Sequence, residues 1–457
     1  MAWIAGASLV AWGWLLAGQG FFWRTDVRLP PGTDVRLPPG TDVRLPPGTD
    51  VRLPPGTDAR LRPGTAPRPP DGRAGPVRGL PEPPAEPPAE WPSVAVVVPA
   101  RDEAEVLPLS LPSLLAQAYP GRAEIVLVDD GSTDGTGELA RALADGHGGL
   151  PLTVTSPGEP APGWTGKLWA VRHGMALARE RTDAEYVLLT DADIAHGPDS
   201  LRALVSAARA ADLDLVSQMA RLRVTDFWER LIVPAFVYFF GQLYPFRWVN
   251  RPGTRTAAAA GGCVLLRRDA AERAGIPERI RHAVIDDVTL SRAVKRSGGR
   301  HGPGSGRIWL GLADHVDSVR PYPRLADLWR MVARSAYAQL LHSPLLLVGT
   351  VLGLALVYLA PPVALVAGLV GGSAPAALLG GLAWAVMTGT YLPMLRYYRQ
   401  PPWTAPLLPF TALLYLLMTI DSAVQHYRGR GAAWKGRTYG APPSGAGTTS
   451  EEASEGA

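Results

Sequence analysis

Three kinds of patterning follow one another along the chain. Residues 2–23 are apolar and uncharged, about the length a helix needs to cross a bilayer. No Lys or Arg precedes this run, as a secretory signal would require, whereas Arg24, Arg28 and Arg36 follow it. The positive-inside rule therefore reads it as an uncleaved anchor with the downstream chain in the cytoplasm, a cleaved signal being the weaker alternative. From residue 93 the pattern becomes β-branched runs at 94–98, 124–128 and 186–190, the kind buried on both faces of a parallel sheet. Helical periodicity over 109–118, 137–144, 167–181 and 200–211 lies between or beyond them, a βαβ order that places ligands at the carboxyl ends of the strands. After residue 340 the apolar stretches 344–371, 375–391 and 406–420 read as up to three membrane helices. Arg396 and Arg399 lie before the last of these, and Arg428, Arg430, Lys435 and Arg437 after it, so both basic clusters compete for the cytoplasmic side. Either that last stretch, which is followed by Asp421, lies flat or re-enters, or one cluster breaks the rule.

Between anchor and first strand, the unit TDVRLPPG recurs five times over residues 25–64, the last copy reading TDARLRPG. Each unit offers only a Val and a Leu to bury and carries a Pro-Pro-Gly breaker, too little apolar surface to offset the entropy of ordering it. With the equally Pro-rich stretch up to Pro92, it is expected to be a disordered, semi-rigid spacer holding the domain off its anchor, a binding role for the repeats being the alternative that nothing in the sequence supports. The expected organisation is thus anchor 1–23, spacer 24–92, catalytic domain 93–340, membrane region 341–427, and a basic then flexible tail 428–457. One cysteine, Cys263, excludes an internal disulfide framework and a thiol cluster for zinc. The formal charge of +4 is spread along the chain with no basic block interleaved with aromatics, which argues against nucleic acid and for anionic lipid headgroups as partner.

Three acidic pairs punctuate the strand–helix region. Asp191 and Asp193 follow the strand 186–190; at strand spacing both carboxylates face one way, a hard-oxygen pair suited to Mg²⁺ or Mn²⁺ on a diphosphate. An acid ending a strand often only caps the next helix, so a D-x-D alone is weak. Asp129 and Asp130 end the strand 124–128, where a carboxylate can hold a nucleobase or ribose, or where the turn can simply cap the next helix through Ser132, Thr133 or Asp134. Asp286 and Asp287 stand ahead of a helical stretch, as caps or as a general base on an acceptor hydroxyl. No G-x-G-x-x-G follows the first strand and no Walker A sequence is present, which disfavours dinucleotide and P-loop folds.

Taken in order, VVVPARDE, LVDDGSTDGT, GWTGKLWAV, LLTDADI, AGGCVLLRRDA and IDDVTL resemble the family two glycosyltransferases over roughly residues 93–340. RIWLGL, SVRPYP, LLHSPLLL, DSAVQHYRGRG and AWKGRTYG are similar to the hopene-associated (hopanoid biosynthesis) subgroup. The resemblance implies a GT-A-like α/β fold with a mostly parallel central sheet, carrying N-terminal and C-terminal transmembrane helices. It implies that Glu103 and Asp130 contact the donor nucleoside, that Asp129 and Lys167 lie in the donor site, and that Asp191 with Asp193 hold metal and diphosphate. Asp287 is then the catalytic base, with Gly261, Gly262, Asp286 and Arg334 at the acceptor or supporting positions. Asp286 replaces the family's usual Glu. Where processive synthases carry Gln-x-x-Arg-Trp, residues 331–335 read MVARS, so the Trp that stacks a growing sugar chain is missing and single-sugar transfer is expected.

A lipid acceptor is suggested by two further stretches. Residues 227–248 are rich in aromatics but broken by Pro234 and Pro245, fitting a belt at headgroup level. Leu325, Leu328, Val332, Ala336 and Leu340 keep helical spacing, as an interfacial helix or as an ordinary core-facing one. The expected protein is a multi-pass enzyme of a bacterial-type inner membrane with its catalytic domain cytoplasmic. It transfers one sugar from a nucleotide-diphosphate donor, uridine-linked for preference, to a lipid hydroxyl such as that of a hopanoid. The competing readings are a processive polysaccharide synthase, a sugar nucleotidylyltransferase, whose Gly-rich first loop is absent here, and a non-enzymatic membrane scaffold.

Overall fold

The computed structural model describes residues 1–29, 90–298 and 306–429, with the backbone of 433–434 and 437–438. Helix α1 spans Ala2–Ala17. The domain then alternates β1 (Val94–Ala100), α2 (Leu107–Leu115), β2 (Ala123–Asp129), α3 (Thr136–His147), β3 (Leu152–Thr155), α4 (Gly166–Arg181) and β4 (Tyr186–Thr190). It continues through β5 (Ile194–His196), α5 (Ser200–Ala210), β6 (Leu215–Arg221), α6 (Phe227–Leu243), α7 (Phe246–Val249), β7 (Cys263–Arg267), α8 (Arg268–Ala274), α9 (Asp286–Ser297) and β8 (Ile308–Ser318). Helices α10 (Leu325–Gln339), α11 (Pro344–Leu354), α12 (Ala360–Val370), α13 (Ala374–Tyr397) and α14 (Leu408–Tyr427) complete it.

The sheet runs β3-β2-β1-β4-β7-β6-β8-β5. β1 is parallel to both β2 and β4, β2 to β3, and β6 to β8, while β7 lies antiparallel between β4 and β6 and β5 antiparallel on β8, so the expected mostly parallel sheet is present. β1 is buried at every position, as a strand covered on both faces must be. Helix α4 lies flush on this core because Gly174 has no side chain: a Cβ there would come within 2.5 Å of Val97 Cγ1 and 2.9 Å of Val128 Cγ2.

Three helices among the described residues are long and apolar enough to cross a membrane: Pro344–Val370, Ala374–Tyr397 and Pro402–Tyr427. Leu345, Val348, Leu352, Val363, Val366 and Leu369 stand exposed on the first, Leu378 and Leu382 on the second, and Phe410 and Leu413 on the third, as side chains facing lipid would. The last helix is longer than the apolar run 406–420. Asp421 within it accepts a hydrogen bond from Trp329 Nε1 at 2.8 Å, so its polar atom is matched by α10 instead of by lipid.

Several expectations are corrected. The anchor helix is 16 residues long, roughly 24 Å at 1.5 Å per residue and short of the ~30 Å hydrocarbon core. Gly18 caps it, its N–H donating to the Trp14 carbonyl, and the chain then turns away at Gly20 and Phe21, which take left-handed backbone with φ of 61° and 52°. It is also no isolated anchor: the indole Nε1 of Trp12 donates to the carbonyl of Val357 at 2.7 Å and its ring meets Tyr358 edge-on. The first residues of the expected spacer are packed, with Val27 and Leu29 buried against β8; the remainder, residues 30–89, lies outside the described residues, as do the Gly-rich segment 299–305 and most of the tail. Helix α10 is core-facing: Leu328 is fully buried, and Ser422 of α14 accepts from the Tyr337 N–H at 3.0 Å. Half of the aromatic stretch 227–248 is likewise buried among helices, Tyr238 hydrogen-bonding Thr390 at 2.8 Å and Tyr415 donating to the carbonyl of Ile232 at 3.1 Å. An apolar stripe announces that a face is covered, and protein covers it here.

Candidate active site

Parallel pairing fixes which loops meet. Ala100 stands opposite Asp129, and Val97 opposite Leu189, so the loops that leave β1, β2 and β4 emerge side by side at one sheet edge. β7 runs the other way and begins where β4 ends, Cys263 against Thr190, which brings Gly261 and Gly262 to the same edge. The carbonyl of Gly262 is fixed there by the Thr190 hydroxyl, which donates to it at 2.8 Å. α9 starts at this edge with Asp286 and Asp287 in its first turn, and α4 delivers Lys167 just past its cap Thr165, whose hydroxyl accepts from the Leu168 N–H.

Lys167 sits between two carboxylates, its Nζ 2.9 Å from Asp191 Oδ1 and 3.1 Å from Asp286 Oδ2. Burial alone would lower its pKa, yet these two anions hold it well above the ordinary lysine value. Asp287 beside them accepts hydrogen bonds from the backbone N–H of Gly261 at 3.0 Å and of Val288 at 2.7 Å. Burial, with the repulsion of neighbouring Asp286 added, pushes the Asp287 carboxyl up to about 7 against the opposing pull of Lys167. Lys167, Asp191, Gly261, Asp286 and Asp287 line one pocket.

Asp191 and Asp193 do not extend β4 as a strand would. They lie in a turn closed by the Ile194 N–H on the carbonyl of Asp191 at 3.1 Å, with Ala192 buried between them. Asp193 faces the other flank, where Ser318 donates to its Oδ2 at 2.9 Å and Arg320 Nε lies 3.3 Å away. Arg320 also donates to the buried Glu103, so one guanidinium ties the loop after β1 to the loop after β4. Asp130, almost fully buried, lies 3.5 Å from Arg101 Nη1. Asp129 instead turns into its own loop, its Oδ1 accepting from the Ser132 N–H at 2.9 Å, which is the turn-forming reading of that pair. Arg334 is exposed on α10, near enough to Tyr322 to act on its hydroxyl electrostatically, and not part of the acidic cluster.

Asp191 and Asp193 are the acids here that could hold a divalent ion. Asp191 and Asp193 are close enough for Asp193 to raise the Asp191 carboxyl, after burial the main upward influence, against Lys167. No group of three His, Cys, Asp or Glu side chains that could hold a metal occurs among the described residues. Mg²⁺ or Mn²⁺ held here would complete its shell with water and the oxygens of a diphosphate, the usual arrangement for a hard ion on one or two carboxylates.

Sequence reasoning missed Arg320 and the brace behind it. Glu229, fully buried at the start of α6, accepts from the N–H groups of Thr225, Asp226 and Tyr322 at 2.8, 3.1 and 2.7 Å, which fixes the segment carrying Arg320. The capping-box spacing of Asp226 and Glu229 was the available signal for half of this.

Residues 95–275 match the family described as Glycosyl transferase family 2, so this segment is a family 2 glycosyltransferase domain, and the sheet around it is GT-A-like. The chain is 33% identical over 127 residues to an undecaprenyl-phosphate mannosyltransferase of Micrococcus luteus, covering 27% of this chain and 48% of that protein. It is 31% identical over 178 residues to an undecaprenyl-phosphate 4-deoxy-4-formamido-L-arabinose transferase of Pseudomonas aeruginosa, covering 38% and 45%. It thus spans about half the length of these curated relatives. A mannosyltransferase of Pyrobaculum calidifontis solved with GDP-Man and Mn²⁺ superposes with a TM-score of 0.43 at 22% identity, over 74% of this chain and 91% of that one.

Proposed function

We propose, with the family 2 domain of residues 95–275 as premise, that this chain is a membrane glycosyltransferase moving one sugar from a nucleotide-diphosphate donor to a lipid acceptor. The observation that carries the proposal is the cluster at one sheet edge: Lys167 held between Asp191 and Asp286, with Asp287 fixed on the Gly261 N–H beside them.

Each group has a task in such a transfer. The acceptor oxygen attacks the sugar's anomeric carbon as the bond to the diphosphate oxygen breaks, and the acceptor proton passes to Asp287. A carboxyl near neutrality suits that task, because a general base works best when its pKa lies close to the operating pH. Lys167 stands where it would face the departing diphosphate, exchanging Asp191 for a phosphate oxygen. Arg320 and Glu103 shape the wall between the nucleoside side and Asp193. Mg²⁺ or Mn²⁺ on Asp191 and Asp193 would neutralise the negative charge that gathers on the leaving group. With MVARS in place of the chain-stacking motif, transfer stops after one sugar.

Two acceptor chemistries fit a membrane enzyme. A lipid hydroxyl, such as a hopanoid's, must lose its proton and needs a base; a polyprenyl phosphate, named in the relatives, is already anionic. Asp287 with its raised pKa favours the hydroxyl. We place the catalytic domain on the cytoplasmic face of a bacterial-type inner membrane, beneath a multi-pass helical region. Membranes bearing the protein, given labelled nucleotide sugars with either a hydroxyl-lipid extract or undecaprenyl phosphate, test the reading. A labelled hydroxyl lipid with a uridine-linked donor is expected; product from undecaprenyl phosphate alone would overturn the choice of acceptor, and no product from any donor would overturn the activity.

A further inference from the structure

The first copy of the octapeptide repeat is bound to the domain. Over Ile308–Ser318, β8 is covered by β6 on one side, while the short β5 covers only its far end, Val316 to Ser318, on the other. The uncovered half would leave edge groups bare. Asn250 meets part of it, its side chain exchanging two hydrogen bonds with Leu310 at 2.7 and 3.0 Å. The next free donor, the Leu312 N–H, gives its hydrogen bond to the carbonyl of Val27 at 2.9 Å, and Arg28 forms a parallel bridge to Leu312.

Four side chains of the unit, Asp26, Val27, Arg28 and Leu29, have seats there. Val27 and Leu29 are buried, at 4% and 8% exposure. Asp26 pairs with Arg247 at 2.6 Å and Arg24 at 3.0 Å. Arg28 pairs with Asp314 at 2.7 Å, donates to the carbonyl of Thr25, and lies 4.8 Å from the ring centre of Tyr397. Gly311 makes room, since a Cβ on it would come within 2.8 Å of the Val27 carbonyl. Two ion pairs of opposite sense flanking a buried Val, on a strand edge, form a recognition site for the peptide Asp-Val-Arg-Leu.

The same four residues recur as Asp34-Val35-Arg36-Leu37, Asp42-Val43-Arg44-Leu45 and Asp50-Val51-Arg52-Leu53. The fifth copy places Ala59 at the buried Val seat. We propose that the β8 edge is a docking site for the repeat unit, and that copies two to four of the same chain occupy it in place of copy one. Of the contacts made by the first copy, only the Arg24 partner of Asp26 is lost on exchange, because Gly32, Gly40 and Gly48 precede the later copies. Each step puts eight more residues between α1 and the dock. Loop closure weakens with length only slowly, about threefold in occupancy per doubling. The repeats are therefore a tether with several set lengths, which keeps the sheet edge covered while the length of chain between α1 and the dock changes.

Hydrogen exchange at the Leu312 amide in the full-length, detergent-solubilised protein reads the occupancy. One variant carries Val27→Asp and Arg28→Glu; a second carries the same pair of changes in all four identical copies. The first is expected to exchange at Leu312 at least about tenfold more slowly than the second. Equal, fast exchange in both would overturn the proposal, as would wild-type protection in the four-copy variant. Protection in the first variant that falls on hundredfold dilution would show docking from a second molecule and overturn exchange within the chain. Unchanged protection at Leu188 in β4 guards against misfolding. The free peptide TDVRLPPG should restore protection to the four-copy variant when its own site is intact, and TDARLRPG should need about tenfold more, for the two carbons lost from the buried seat; equal potency would remove the claim that the Val seat reads the sequence.

Discussion

Asp287 receives the backbone N–H of Gly261 on one oxygen, at 3.0 Å, and the N–H of Val288 on the other, at 2.7 Å. A carboxylate gripped by two main-chain donors keeps one orientation, and these donors come from different elements, the start of β7 and the first turn of α9. The proposed base is therefore aimed by the sheet edge itself. Its chemistry depends on that aim and on the burial that raises its proton affinity.

The rate of transfer should fall with acidity. Asp287 must be ionised to accept a proton, and its folded-state pKa is raised to about 7. Below that value kcat/KM is expected to drop by about tenfold per pH unit, and above it to level off. A pH–rate profile flat down to pH 5 would remove Asp287 from the proton transfer.

Chelation should stop the reaction, and Mg²⁺ or Mn²⁺ should restore it, since the two carboxylates at Asp191 and Asp193 otherwise leave the diphosphate charge unmet. Arg320 now holds Asp193 at 3.3 Å and competes with any cation there. In Arg320→Gln the ion concentration giving half-maximal rate should fall, while kcat/KM for the donor drops about tenfold through loss of the charge-assisted contact that holds Glu103 in the donor-site wall. An unchanged ion dependence measured by titration would show that Arg320 and the metal do not share Asp193.

Gly174 offers a structural test away from the chemistry. A larger side chain there must push α4 off Val97 and Val128. Gly174→Val should lower stability by about 1–3 kcal/mol as an overpacked core position. Because α4 also carries Lys167, the donor KM should rise as well, measured alongside thermal unfolding in detergent.

Much of the fold was legible because its signals are local. The run 186–190 coincides with β4, and the runs at 94–98 and 124–128 fall inside β1 and β2. β8 gave no such signal: Gly311, Asp314, His315 and Asp317 interrupt it, and only pairing with β6 makes it a strand. The amphipathic stripe of α10 showed that one face is covered, while a stripe cannot distinguish lipid from the α14 that covers it. Arg320 was invisible for a related reason, since a single arginine gains its role only when the end of β8 is laid beside Asp193 and Glu103, residues remote in sequence. Five repeats of low apolar content predicted disorder, and the prediction failed at copy one because a strand edge elsewhere supplied the missing partner.

The most direct test of the catalytic assignment compares wild type with Asp287→Asn in membranes given a labelled donor and a hydroxyl-lipid acceptor. Asn keeps the shape and can still accept from the Gly261 N–H, but it cannot take a proton. Labelled lipid should form about 10²–10⁴-fold more slowly with the variant, the usual span for loss of a general base. Equal rates from the two proteins would rule out Asp287 as the base.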